Sequence, residues 1–429
     1  MTVLKTVEET GTKAWLVGDT VRMIEMGIQP TTVTLALDSQ NLEKVASALS
    51  SIDEGADLTV DVRGPFPALR GELDGVPFRA FSLQGNTIED DLARRDFSIE
   101  AIALRSDGGI VDPFGGRLDI RNRVIRLTGD DVELLAKDPL RIVRMLRLAA
   151  EFEMDIFWKT DSDVRTFLEA NPTSMSNIPP ERWGREVING MKRRPWRFIR
   201  LCDAYGLLPF FLKDLEELKR VPDGGGSTLF DHVMKTLRVI EARIDTNKVR
   251  QREAFILAGL FSHVGTRNLR ERTKQADRLV SDYMTRWNIP SETVTEVLAI
   301  INDYRTFYKP QSEEELCAAV LEYSRNAIRV GLEFAACIAE AEDVPEDYRE
   351  ALDDNRWNLD QIRRRFKSVA RQTDGSMRFL TGREVMDLLG LAPGRRIGEL
   401  LDGLDMAVGT GKVSSRANAE AWLRGQKIA

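Results

Sequence analysis

The residues most able to do chemistry include a short run, Arg94-Arg95-Asp96, just ahead of an apolar stretch. Two adjacent guanidiniums held at the start of a strand suit an anion such as a triphosphate, because each presents a planar fork of donors. Taken alone, such a pair is as readily two surface arginines. Asp138 and Arg141 stand three apart on an expected helix and share a face. They can offer an acceptor and a donor to a base edge, or simply form a surface ion pair. The two histidines, His232 and His263, are a candidate metal pair without an accompanying carboxylate, which favours a plain packing role. From Glu181 to Asp203 run Arg182, Arg185, Lys192, Arg193, Arg194, Arg197 and Arg200, interleaved with Trp183, Trp196 and Phe198. Cations with stacking rings suit an RNA-contacting surface. An amphipathic helix with its aromatics turned inward fits the pattern equally well.

Those residues need elements to hold them. Ala14–Val17 reads as a strand, Gly18 opens a helix to about Met26, and Gly27 ends it. Val33, Leu35 and Leu37 alternate as a second strand. Ile99, Ala101 and Ala103 against Ile102 and Leu104 predict a buried strand. Asp107-Gly108-Gly109 then turns the chain into a return strand at Ile110-Val111. Asp112 to Gly116 forms a second sharp loop, and Asp130 to Glu151 has the spacing of one long helix. Pro222 to Ser227 reads as a linker.

A chain of 429 residues exceeds one compact core, so two to four domains are expected. The net charge of −7 gives no bulk attraction for nucleic acid, so any RNA contact must come from local basic patches. Three widely spaced cysteines, Cys202, Cys317 and Cys337, predict buried free thiols in a reducing compartment. No signal-like or membrane-spanning run occurs, and cytoplasmic is the expected location.

The segments RRDFSIEAIA, DPFGGRLDIRNRVIR and KDPLRIVRMLRLAAEF follow one another in an order that resembles the bacterial tRNA nucleotidyltransferase (CCA-adding) and poly(A) polymerase family. The tail LTGREVMDLLGLAPGRRIGELLDGL also resembles that family's carboxy-terminal wording. The resemblance implies an α+β fold: a nucleotidyltransferase-type mixed-sheet head (1–127), an all-α neck (128–220), a degenerate HD-like body (221–372) and a tail (373–429). It also implies nucleotide contacts at Gly18, Arg22, Arg94, Arg95, Asp96, Asp138, Arg141 and Arg144. RNA contacts are expected at Arg182, Arg185, Lys192, Arg193, Arg194, Trp196 and Arg197.

The departures from the family wording are specific. Thr32 and Thr34 occupy the positions of the two metal-binding aspartates, Asp19 stands where a second glycine would be, and Met23 follows Arg22 in place of an aspartate. Lys137 replaces the first acid of the motif around Asp138 and Arg141. Nucleotidyl transfer uses two Mg2+ ions about 3.5–4 Å apart, held by anionic oxygens, and neutral hydroxyls do not replace two charges. Asp38 shares strand parity with Thr34 but stands roughly 13 Å along the strand; Asp61, on the next extended segment, is the better-placed acid, and one aspartate does not restore a two-metal site. In the HD-like region Ser262-His263 stands where a His-Asp ligand pair would. The expected function is therefore RNA binding, to tRNA above all, by a member that has lost nucleotidyl transfer and has no catalytic residue, metal or cofactor. Mg2+ with CTP or ATP belongs to a first alternative, a weakly active or partner-dependent transferase. A protein-interaction subunit is the second.

Overall fold

A computed structural model describes residues 2–426 apart from 54, 63–66, 130, 244–248, 268–272, 309–310, 342–345 and 374. It divides into two compact units, Met1–Phe211 and Leu212–Ala429.

The first unit begins with helix α1 (Thr2–Glu9) and is built on a mixed sheet of β1 (Ala14–Val17), β2 (Val33–Leu37), β3 (Asp57–Asp61), β4 (Ala68–Leu73), β5 (Val76–Ser82), β6 (Ala103–Leu104) and β7 (Ile110–Val111). Its order is β3-β4-β5-β2-β1-β6-β7. β1 runs antiparallel to both β2 and β6, while β2 and β5 are parallel, with Thr34 opposite Arg79. β2 is covered on both faces, which is why Leu35, Ala36 and Leu37 are a continuous buried run. Val17, Ala36, Ile88, Leu92, Ala101 and Ala103 form one apolar cluster behind these strands.

Helix α2 (Asp19–Glu25) follows β1 directly, and α3 (Leu42–Ser50) and α4 (Ile88–Leu92) follow in the chain. The hairpin at Asp107–Gly109 forms as expected, but the strand before it is shorter: Ser98–Glu100 is a 3-10 turn. Asp112 explains the second loop, accepting from the backbone N–H groups of Gly116 (2.7 Å) and Arg117 (3.0 Å) and so starting α5 (Gly116–Asn122). A Cβ on Gly116 would lie 2.0 Å from the Ser98 carbonyl oxygen, so only glycine fits there.

The rest of the unit is helical except for one parallel pair, β8 (Val124–Ile125) with β9 (Asp155–Ile156). The single long helix expected from Asp130 is two, α6 (Asp131–Lys137) and α7 (Leu140–Glu151), and Asp130 itself lies outside the described residues. Pro139 accounts for the break, since it has no N–H to continue the ladder. α8 (Trp158–Ala170), α9 (Pro180–Met191) and α10 (Pro195–Ala204) follow, the last two each opened by a proline.

In the second unit every described regular element is a helix, the longest being Glu346–Gln372. The expected linker at Pro222–Ser227 is a closed loop instead: Asp223 accepts from Gly225 and Ser227, and Pro222 bridges to Thr228. All three cysteines are buried free thiols, and burial pushes Cys317 and Cys337 up to about 11. No described helix is long and apolar enough to cross a membrane.

Candidate functional site

The short connections of the head bring Asp19, Thr32 and Thr34 to one point. Thr20 fixes the geometry: its hydroxyl donates to the Thr32 carbonyl (3.1 Å) and accepts from the Thr34 N–H (2.8 Å), tying the start of α2 to the start of β2. Asp19 then accepts from the Thr32 hydroxyl at 2.7 Å and from the Thr34 hydroxyl at 3.1 Å, and from the Thr20 N–H at 3.0 Å. A single carboxylate, accepting from three donors, sits where Thr32, just ahead of β2, and Thr34, on β2, converge. Hydrogen bonds to a charged group contribute about 1.5–3 kcal/mol each, so the arrangement is locked.

Asp61 is corrected as a substitute: β3 is the edge strand, three places from β2, roughly 14 Å away at the usual strand spacing, and Asp61 lies 3.4 Å from Arg70. Asp38 instead accepts from the Lys13 N–H. Among the described residues no group of three or more His, Cys, Asp or Glu is placed to hold a metal ion.

Gly18 lies at the same corner with a φ of +66°, and a Cβ there would meet the Arg95 guanidinium at 2.9 Å. Arg95 is therefore beside the Asp19 corner, anchored on Asp91 (2.9 and 3.2 Å) and stacked over Phe81. Arg94 is exposed. Arg22 is placed differently from its neighbours: it is buried, paired with Glu100 and stacked 4.7 Å over Phe152.

Asp96 belongs to a second cluster. It accepts from Arg141 (2.7 Å) and Arg144 (2.6 Å). Arg144 also reaches Asp138 (3.2 Å) and Glu186 (3.3 Å), Arg147 reaches Glu186 (3.1 Å), and Arg182 meets both Asp138 oxygens at 3.1 Å. Burial works against the Arg144 charge, but Asp96, Glu186 and Asp138 outweigh it and raise its pKa above the ordinary arginine value. The expected one-face pairing of Asp138 with Arg141 does not form. Asp138 precedes the helix because Pro139 starts it, so its carboxylate turns to Arg144 and Arg182. Lys137 pairs with Glu133 on the surface. Glu186, hidden in the sequence by the arginines around it, is the acid that ties α9 to α7.

The basic stretch from α9 to α10 is less bare than its composition. Arg182, Arg193 and Arg194 are paired with Asp138, Glu151 and Glu153. Arg185, Lys192 and Arg200 are exposed, and Arg200 stacks 4.9 Å over a half-buried Trp196; Arg197 is half-buried. Trp183 and Phe198 point into the core, Trp183 stacking on Phe211. Trp183 and Phe198 thus turn inward, while Arg185, Lys192 and Arg200 stay on the surface.

In the second unit His232 and His263 are buried edge to face, 4.6 Å between ring centres. Burial first, then Lys235, pushes His232 down to about 4, with Asp223 opposing.

Residues 14–126 match the poly A polymerase head domain. Over most of its length the chain is similar to the A-adding tRNA nucleotidyltransferase of Deinococcus radiodurans, 28% identical over 396 residues covering 88% of each protein. These matches support the tRNA nucleotidyltransferase/poly(A) polymerase family, through the head domain and through a relative aligned along most of the chain. The chain's fold is that of the Bacillus stearothermophilus CCA-adding enzyme in complex with CTP (22% identical, TM-score 0.65, covering 99% of this chain and 95% of that one). The Thermotoga maritima CCA-adding enzyme complexed with tRNA-CCA is similar too (16% identical, TM-score 0.64, covering 99% and 93%).

These relatives correct the expectation of no cofactor. The Deinococcus relative is an A-adding tRNA nucleotidyltransferase by name and the Bacillus structure is a complex with CTP, which is at odds with expecting no nucleotide ligand. Mg2+ is commonly held by one or two carboxylates plus the substrate's phosphates. Asp19 suits an ion arriving on a nucleotide; it does not suit a protein-held pair.

Proposed function

We propose that this chain binds tRNA and has lost efficient nucleotidyl transfer. The observation that carries the reading is the Asp19–Thr32–Thr34 arrangement, in which one carboxylate, already accepting from two hydroxyls, replaces the acids of a two-metal clamp. Arg95 near Gly18, the exposed Arg94 next to it in the chain, and the cluster of Asp96, Asp138, Arg141 and Arg144 are the residues for a nucleotide's phosphates and base. Any base entering that cluster must displace existing ion pairs, which weakens it as a template. The exposed Arg185 and Lys192, with the exposed Arg200 stacked on Trp196, are the proposed tRNA contacts. The Thermotoga relative's complex with tRNA-CCA supports this partner class.

The test is the affinity of the full chain for a tRNA transcript lacking its 3′ CCA, measured at several salt concentrations. Arg185→Glu with Lys192→Glu is expected to weaken binding and flatten the salt slope by roughly 0.7–0.9 for each phosphate no longer neutralised. Trp196→Ala is expected to cost affinity at unchanged slope, because stacking releases no counterions. Unchanged affinity in charge-reversed variants of wild-type melting temperature would exclude this surface.

A further inference from the structure

Trp158 is the most exposed large hydrophobic side chain described, at 73%. The β8–β9 pair puts it at the end of a stacked series. The Asp155 N–H donates to the Arg123 carbonyl (2.8 Å) and the Phe157 N–H to the Ile125 carbonyl (2.9 Å), so Arg126 and Phe157 leave the ladder side by side. The Arg126 guanidinium lies 3.8 Å over the Phe157 ring, and the Phe157 and Trp158 rings are 5.5 Å apart at 49°. Asp119 holds Arg126 in place through two hydrogen bonds, at 3.0 and 3.2 Å. Arg121 and Arg123 are exposed nearby in the chain, and among the described residues neither forms an ion pair. Arg123 caps α5 in the left-handed region, φ +55°, which starts the chain into β8. The exposed Asp155 on β9 lowers this positive charge without cancelling it.

We propose that this surface is a second RNA contact, which stacks an unpaired base on Trp158 and takes the flanking phosphates on Arg121 and Arg123. The inference rests on the tRNA-binding reading above. Two features favour RNA over a protein partner. The uncompensated charges are arginines, complementary to phosphate. The surface also continues into the basic stretch through Arg194, which pairs at 2.6 Å with Glu153, two residues before β9. An indole face takes any base, so the contact is sequence-tolerant and adds to a backbone-reading patch.

The test uses the full chain and a tRNA transcript lacking its 3′ CCA. Trp158→Ala is expected to weaken binding about tenfold at unchanged salt slope, the size of one base stack. Trp158→Phe is expected to restore most of that affinity. Arg121→Glu with Arg123→Glu is expected to weaken binding and flatten the slope. Trp158 covers little of the core, so wild-type melting temperatures are expected throughout, and Trp158→Phe reads the contact if the alanine variant is unstable. If the wild type binds and the Arg185/Lys192 variants weaken it while the Trp158 variants do not, the second contact is overturned and the tRNA reading stands. If the wild type binds no RNA, both fall. Loss of self-association in Trp158→Ala with RNA affinity unchanged overturns the proposal in favour of a second copy.

Discussion

At the scale of single residues, Asp19 is the shared acceptor of the head's corner. The Thr32 and Thr34 hydroxyls both point at it, so placing aspartates at 32 and 34 alone would crowd three carboxylates within hydrogen-bonding distance. Thr32→Asp with Thr34→Asp is expected to lower stability by roughly 2 kcal/mol or more, and adding Asp19→Gly to recover most of it. Denaturant midpoints of the two variants check this, and equal midpoints would show that Asp19 is not in the way. His232 supplies a second residue-scale expectation. Its folded pKa of about 4 lies below the ordinary 6.5, so the unfolded chain binds the extra proton between those values. Stability from this group is present above pH 6.5 and is lost as pH falls, roughly 2 kcal/mol by pH 5. Unfolding at pH 7.5 and 5, wild type against His232→Gln, is expected to show a smaller fall in the variant; identical falls would assign the loss to other groups.

At the scale of elements, α7 and α9 are joined by charge as much as by packing. Asp96 holds Arg141 and Arg144 with only 14% of its side chain exposed. Asp96→Ala leaves two half-buried guanidiniums short of a partner, and about 3 kcal/mol of destabilisation is expected in equilibrium unfolding. A loss under 1 kcal/mol would mean that Asp138 and Glu186 compensate. The sequence was readable where pairing is local: β1, β2, the Asp107–Gly109 hairpin and the loop begun by Asp112 each announce themselves within a few residues. It misled where position depends on distant pairing. Alternation at Ile99–Leu104 came from a tight turn packed in the core as well as from a strand. Pro139 moved Asp138 off the helix and hence off Arg141. Asp61 looked available because strand order, which puts β3 at the edge, is not written locally.

At the scale of the molecule, the family and the sheet-then-helices order were legible because the motif wording runs along much of the chain. The hydrogen bonds that make Asp19 a shared acceptor were not, since they need the Thr20 bridge between α2 and β2. Each of the two units has its own buried core, so residues 1–211 expressed alone are expected to unfold cooperatively by circular dichroism. A non-cooperative transition would contradict that. The central claim concerns transfer itself, and incorporation is its most direct test: labelled CTP or ATP with Mg2+ and a tRNA lacking its 3′ CCA, incubated with stoichiometric protein. Losing one metal's charge stabilisation removes several kcal/mol from the barrier reduction, so bound tRNA with no extension above background is the predicted result. Extension at the rate of an intact family enzyme, abolished by Asp19→Ala, would contradict it.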